Sequence, residues 1–248
     1  MKQSGGLVET VKTIVYAGLI AIVIRTFAYE PFNIPSASMV PTLLVGDYLF
    51  VSKYSYGYTH YSIPFSPNLF SGRILASMPQ RGDVIVFKLP RDGKTDYIKR
   101  LVGLPGDRVQ MINGVLNVNG EPVKRARVPD YIDRQVNGSV MAVPQYDETL
   151  PGGKVHRILE IQGDQGQLDN TQVFVVPPGH FFFMGDNRDN SLDSRVPPEV
   201  QGVGLVPFEN LIGRAEFIFF STDGSAGLLE FWKWPFAIRY SRLFQGIK

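Results

Sequence analysis

Ser38 and Lys99 are the two side chains in this sequence whose surroundings suit a nucleophile and its base. A serine hydroxyl attacks a carbonyl only when a base takes its proton, and that base is ordinarily histidine or, in a recognised variant, lysine. The three histidines, His60, His156 and His180, lie far apart in no informative context. Ser38 stands between Pro35 and Pro41, which confine its backbone to an extended or turn geometry that a helix cannot absorb. In the run Asp96 to Val102, a strand period of two puts Lys99 on one face with Tyr97 and Leu101, and Arg100 on the other with Ile98 and Val102. Both faces are partly apolar, so the period alone does not choose the buried one. If the Lys99 face is buried, desolvation disfavours the ammonium form and leaves an amine able to accept the Ser38 proton. Arg100 stays charged and cannot take that role.

A second dense constellation is Gly185 to Arg195 (GDNRDNSLDSR), with three aspartates and two arginines spaced so that they can pair with one another. An EF-type calcium loop starting at Asp189 needs Gly at its sixth position and Glu at its twelfth, where this chain has Ser194 and Val200. That reading fails, and a turn braced by ion pairs remains. Ser191 in the same run can hydrogen-bond a neutral amine and orient it. Set against all this, single serines and lysines are common on surfaces, so residue types alone leave an incidental pair open.

The elements that must position these groups read as short β runs punctuated by Gly and Pro: Asp47 to Tyr54, Asp83 to Leu89, Asp96 to Gly103, Arg108 to Val118, Gln172 to Val176, Phe181 to Met184 and Gly213 to Phe220. Asn113-Gly114, Asn119-Gly120 and Asn137-Gly138 are hairpin signals. The expected fold is mainly β: a single N-terminal transmembrane helix, then a β-sheet catalytic core with an inserted second β subdomain. The expected divisions are 1–29 (cytoplasmic tip and anchor), 30–109 (first part of the core), 110–176 (the polar, turn-rich insert) and 177–248 (second part of the core, with an aromatic and basic C-terminal segment). Residues Tyr54 to Gln80 form a long aromatic loop, too apolar to be simply solvated. Leu228 to Phe244, with two Trp beside Arg239 and Arg242, suits either the lipid headgroup layer or packing on the sheet.

Thr13 to Ile24 (TIVYAGLIAIVI) is uncharged and mostly apolar, and counting on to Tyr29 gives seventeen residues, the lower limit for crossing a bilayer if Arg25 snorkels. A cleaved signal peptide competes with an anchor, because Ser36-Ala37-Ser38 has the small-any-small pattern of a cleavage site. Arg25, Glu30 and two prolines before Ser38 favour the anchor. Lys2 and Lys12 place the N-terminus in the cytoplasm and the rest of the chain outside.

The 248 residues carry a formal charge of +2 and no Lys/Arg cluster of the kind that tracks nucleic acid, so nucleic acid is not an expected partner. No cysteine is present, which excludes disulfides and a thiol nucleophile. The histidines show no zinc spacing, and neither a metal nor a cofactor is expected.

Four stretches together resemble the bacterial type I signal peptidases, the leader peptidases: Phe32 to Leu43 (FNIPSASMVPTL), Arg81 to Phe87 (RGDVIVF), Tyr97 to Asp107 (YIKRLVGLPGD) and Gly185 to Arg195. Their order, spacing and preceding apolar segment match, and the resemblance runs from the anchor to about Phe220. It implies a membrane-anchored serine endopeptidase that removes signal peptides from secretory preproteins at the outer face of the bacterial cytoplasmic membrane. Ser38 then corresponds to the nucleophile and Lys99 to the general base. The Ser36 hydroxyl joins the Ser38 backbone N–H in the oxyanion hole, and Ser191, Asp193 and Arg195 are supporting residues. Phe32, Ile34, Met39, Leu43, Tyr97 and Ile98 fall where the family lines shallow pockets that accept small side chains at positions minus three and minus one. Some relatives carry two N-terminal spans and a disulfide in the insert, whereas this chain has one apparent span and no cysteine. Ala37 stands where relatives often have Gly, which requires its φ to be negative. A specialised relative that processes one conjugation or pilus substrate, and a non-catalytic membrane-tethered β scaffold, are the alternatives.

Overall fold

The computed structural model describes residues 5–134, 139–226 and 230–248. Helix α1 (Gly5–Phe27) opens the chain. Its apolar residues from Leu7 to Ile24 are exposed, so no other part of the described chain covers them. The helix begins eight residues before the apolar run at Thr13, and Glu9 and Lys12 pair at 3.5 Å on its first turns. Its 23 residues reach about 34 Å at 1.5 Å per residue, more than the roughly 30 Å hydrocarbon core that seventeen residues barely match.

Strands follow as β1 (Tyr29–Asn33), β2 (Asp47–Ser52), β3 (Val84–Lys88), β4 (Asp96–Gly103), β5 (Arg108–Ile112), β6 (Val115–Val118), β7 (Glu121–Pro122), β8 (Lys124–Arg134), β9 (Val140–Thr149), β10 (Val155–Leu159), β11 (Phe174–Val175), β12 (His180–Met184), β13 (Val206–Pro207) and β14 (Leu211–Ser221). The fold is mainly β. A seven-stranded antiparallel sheet in the order β1-β2-β14-β3-β4-β12-β13 takes its strands from both ends of the chain, while β10-β9-β8 and β11-β5-β6-β7 form two smaller sheets from the stretch between. Val102, Phe182 and Met184 of the large sheet pack with Val109, Met111, Leu116 and Val118, so one core joins the large sheet to β5 and β6.

Asn113-Gly114 and Asn119-Gly120 turn the β5-β6 and β6-β7 connections with positive φ at all four residues, as type I′ turns require. Asn137-Gly138 lies outside the described residues. The β8-β9 ladder has no counterpart among the expected runs, because its sequence is polar and its outer half lies open to solvent. Pro129 and Asp130 together oppose Pro144 at a register shift, so prolines sit where a ladder can spare their missing N–H.

The Tyr54 to Gln80 loop is pinned through Arg73, which donates to the carbonyls of Gly57, Phe208 and Leu211 and stacks 4.6 Å over the Phe208 ring. At the C-terminus Arg242 donates to both Asp47 carboxylate oxygens and to Thr42 O, tying the backbone to the sheet. Phe231, Trp232, Phe236 and Phe244 of the same segment are exposed.

Candidate active site

Pro35 and Pro41 bracket a single tight turn. Ser36 is extended (φ −129°, ψ 156°), Ala37–Met39 form one 3-10 turn, and Val40 N–H closes on Ala37 O at 3.1 Å. Ala37 is absent from the residues with positive φ, so its methyl group costs the backbone nothing. Met39 and Leu43 anchor the turn from below, 1% and 0% exposed in the core with Ile34 and Leu49.

Strand β4 lies inside the large sheet, with Lys99 opposite Ile85. From Lys99 to Gly103 every residue is buried, so the strand hides both faces and alternation carries no signal there. The Lys99 amine donates to Ser38 Oγ at 2.7 Å and to Ile98 O at 3.0 Å, and lies 5.4 Å from the Tyr97 ring centre. Burial pushes its pKa down to about 8, against the opposing pull of Asp193 and Asp186. Ser36 Oγ is 3.4 Å from Ser38 Oγ.

The Gly185 to Arg195 run lies against this turn. Asn187 donates its backbone N–H to Ser38 O and its side-chain amide to Ala37 O, both at 3.1 Å. A Cβ at Gly185 would lie 2.5 Å from Ser38 O and 2.3 Å from Ser191 Oγ, so only glycine permits this approach. The charged residues of the run pair within it only once, through Asp193 and Arg195, which share two hydrogen bonds of 2.9 Å. Burial raises the Asp193 carboxyl, but the Arg195 guanidinium and the Gly185 N–H more than reverse that and hold it below the usual carboxylate range. The other pairs reach outward: Asp186 takes two bonds from buried Arg100, at 2.8 and 2.7 Å, and one from Thr42, while Arg188 donates to Glu148. The local alternation of charge therefore misleads about most partners, which come from β4 and β9.

Ser191 is 6% exposed, and its hydroxyl lies near Asp193, whose carboxyl pKa it helps to lower. It borders the cleft that holds Lys99 but donates nothing to that amine in this state. The cleft, about 1030 Å³, is lined at its floor by Ser36, Ser38 and Lys99. Phe32, Ile34, Tyr97 and Ile98 line it; Met39 and Leu43 lie beneath it in the core. Gln162, Gln167 and Leu168, from the loop after β10, complete one wall. Nothing in the spacing of those three residues marks them in the sequence. Asn187 was visible as part of a dense run, although only the fold shows what it holds.

None of the histidines borders the cleft. His156 is buried 3.4 Å from Glu148 and 3.8 Å from Asp186, and burial together with Arg100 pushes its pKa down to about 4, so it is a neutral member of the ion-pair network. A hydroxyl hydrogen-bonded to a desolvated amine, beside a second hydroxyl and open to a cleft, can perform acyl transfer without histidine or metal.

Known proteins resemble this chain over most of its length. A family model described as signal peptidase, peptidase S26, matches residues 7–220. The signal peptidase I of Rickettsia typhi is 43% identical over 244 residues, covering 92% of this chain and 89% of the relative. That of Rickettsia prowazekii is 42% identical with the same coverage. A crystal structure of a signal peptidase I from Enterococcus faecalis V583 aligns with 26% identity and a TM-score of 0.32, covering 56% of this chain and 97% of the other. By the family match and by identity over most of its length, this chain belongs to the signal peptidase, peptidase S26, family, and is a signal-peptide-removing serine endopeptidase with an apolar N-terminal helix of the kind that anchors a protein in a membrane.

Proposed function

We propose that this signal peptidase cleaves secretory preproteins after a small-any-small motif, with Ser38 as nucleophile and Lys99 as general base. The observation that carries the reading is the 2.7 Å hydrogen bond between a buried lysine amine and a serine hydroxyl at the floor of a cleft. In the active state Lys99 is neutral. It takes the Ser38 proton as Oγ bonds to the scissile carbonyl carbon, then passes that proton to the departing amine as the peptide bond breaks. A water molecule, deprotonated by the same amine, then hydrolyses the acyl-Ser38 ester and frees the enzyme.

The Ser36 hydroxyl and the Ser38 N–H stabilise the oxyanion, which suits a Ser36 Oγ 3.4 Å from the attacking oxygen. Asp193 and Arg195 hold the chain on which Ser191 stands, and Ser191 orients the amine once substrate is bound. Phe32, Ile34, Tyr97 and Ile98 form the shallow apolar pockets. Met39 and Leu43 shape those pockets from beneath rather than as wall. We read 30–109 and 177–248 as the catalytic core and 110–176 as its insert, a division supported by the strands of the two smaller sheets, which run from Arg108 to Val175. Residues 1–29 anchor the chain, with the N-terminus in the cytoplasm and the catalytic part on the outer side, in accord with Lys2 and Lys12 ahead of the apolar segment.

The pH profile tests the base directly. Protonation of Lys99 removes its lone pair, so kcat/KM is expected to be level above the folded pKa of about 8 and to fall about tenfold per pH unit below it. A rate constant that is flat from pH 9 down to about 6 removes Lys99 from the role. Ser36→Ala deletes one oxyanion donor, with an expected fall in kcat of about a hundredfold at little change in KM. Steady-state kinetics on a peptide with Ala at minus three and minus one reads both values.

A further inference from the structure

Beside the proposed dyad the fold gathers three carboxylates from separate segments. Glu160 follows β10, Asp169 precedes β11 and Asp189 lies in the run over the nucleophile turn, yet one oxygen from each lies within 4.8 Å of the others. Glu160 and Asp169 are both 0% exposed. Both Glu160 oxygens and Asp169 Oδ1 are buried with no hydrogen-bond donor among the described residues. Carboxylates so desolvated need a proton or a cation.

The nearby arginines do not supply that cation. Arg125 Nη1 is 4.0 Å from Glu160 Oε1, beyond hydrogen-bond reach, and its guanidinium donates instead to Asp164 at 2.8 Å and to Gly114 O at 3.0 Å. Arg188 and Arg195 also act on Glu160; each is paired with its own carboxylate, Glu148 and Asp193, and the spare Arg188 Nε and Arg195 Nη1 make no hydrogen bond to Glu160. No Lys or Arg side chain among the described residues hydrogen-bonds to Glu160, Asp169 or Asp189. Backbone N–H groups orient the two aspartates: Gly166 donates to Asp169 Oδ2 at 2.5 Å, and Gln162 to Asp189 Oδ2 at 2.7 Å. The space is kept open at Gly166, where a Cβ would lie 2.5 Å from Asp189 Oδ1 and 2.9 Å from Asp169 Oδ2.

We propose that Glu160, Asp169 and Asp189 bind a divalent cation, calcium in preference to magnesium. The ligand set is oxygen only, which suits a hard cation rather than zinc or copper. Calcium tolerates the irregular set of carboxylates that three separate segments offer, whereas magnesium demands near-ideal octahedral geometry and gives up its waters reluctantly, which a buried site penalises. The loop between Glu160 and Asp169 carries Gln162, Gln167 and Leu168 on the cleft wall, and Asp189 lies on the same wall. Calcium at this position ties the loop to the run that holds the nucleophile turn, bracing the wall against which substrate lies.

Calorimetric titration of calcium chloride into the full-length protein in detergent, stripped beforehand with a chelator, tests the site, with the thermal midpoint as a second readout. One calcium per chain is expected, with a raised midpoint and magnesium binding at least about tenfold more weakly. Glu160→Gln and Asp169→Asn replace a desolvated carboxyl with a neutral amide of the same shape, so both should fold without calcium while binding it at least about tenfold less tightly. Should either fail to fold, Asp189→Asn at the more exposed position is titrated in its place, with the same weakening expected. Absence of calcium uptake by the wild type, equal binding of magnesium, or variants that bind calcium as the wild type does overturns the proposal.

Discussion

Ser38→Ala and Lys99→Met are each expected to lower kcat/KM on a preprotein by at least about a thousandfold, and the double variant to be no worse than either single one. The two groups act as one unit, so removing the second after the first takes away nothing further. Residual turnover comes from the remaining donors and the cleft. Loss of activity through unfolding has to be separated from loss of chemistry, and the Lys99 environment does so. A lysine unprotonated in the folded state near pH 8 but protonated to 10.5 when unfolded binds more protons in the unfolded chain over that window, so folding stability rises with pH across it. Below about pH 8 the buried amine therefore weighs against folding, by roughly 3 kcal/mol if the full fall from 10.5 is counted. Methionine fills a similar volume and carries no charge to desolvate. Lys99→Met should hold or raise the thermal midpoint at pH 7 while it abolishes cleavage. A Lys99→Met enzyme that still processes the preprotein at near the wild-type rate, or a Ser38→Ala enzyme that does so, excludes the proposed dyad.

Which parts of this were legible beforehand follows from where the physics is local. The Ser38 turn was readable because two prolines restrict it without help from elsewhere, and the I′ hairpins because Asn-Gly supplies positive φ at its own residues. Lys99 was readable as a residue, but its side of the strand was not: β4 lies within the sheet and hides both faces, which erases alternation. The β8-β9 ladder escaped notice for the opposite reason, since a solvated ladder needs no apolar stripe. Long-range partners were illegible in principle. Asp186 has Arg188 and Asp189 as sequence neighbours, yet it pairs with Arg100, 86 positions earlier. Local charge alternation cannot distinguish a pair that forms within a turn from one that crosses between strands, and Glu160, Asp169 and Asp189 illustrate the same limit.

Asp186→Ala is the substitution expected to damage the fold most. Arg100 is 0% exposed, and its guanidinium is held by Asp186 through two hydrogen bonds of 2.8 and 2.7 Å, with Gly82 O taking another at 2.8 Å. Truncating Asp186 leaves that buried charge without its counter-ion, a change that costs about 3–5 kcal/mol. It also frees the Thr42 hydroxyl, which donates to Asp186 Oδ2 at 2.5 Å. Asp186→Asn keeps the shape and one acceptor and should cost visibly less, so the difference between the two variants isolates the charge from the packing. Burial raises the Asp186 carboxyl, but Arg100 more than reverses that, and its folded pKa lies below its unfolded value. The stability it contributes is therefore present above the ordinary carboxylate range and is lost only as pH falls through the depressed value. Denaturant unfolding at pH 7 and at pH 5 should accordingly give nearly the same penalty for Asp186→Ala relative to wild type. Activity should fall further than the folded fraction does. The residues flanking position 186 are Gly185, packed against Ser38 O, and Asn187, which holds the Ala37 and Ser38 carbonyls, so slack in that loop passes directly to Ser38 and its proposed role. A folded Asp186→Ala enzyme with wild-type kcat would show that the loop holds the nucleophile turn without its buried ion pair.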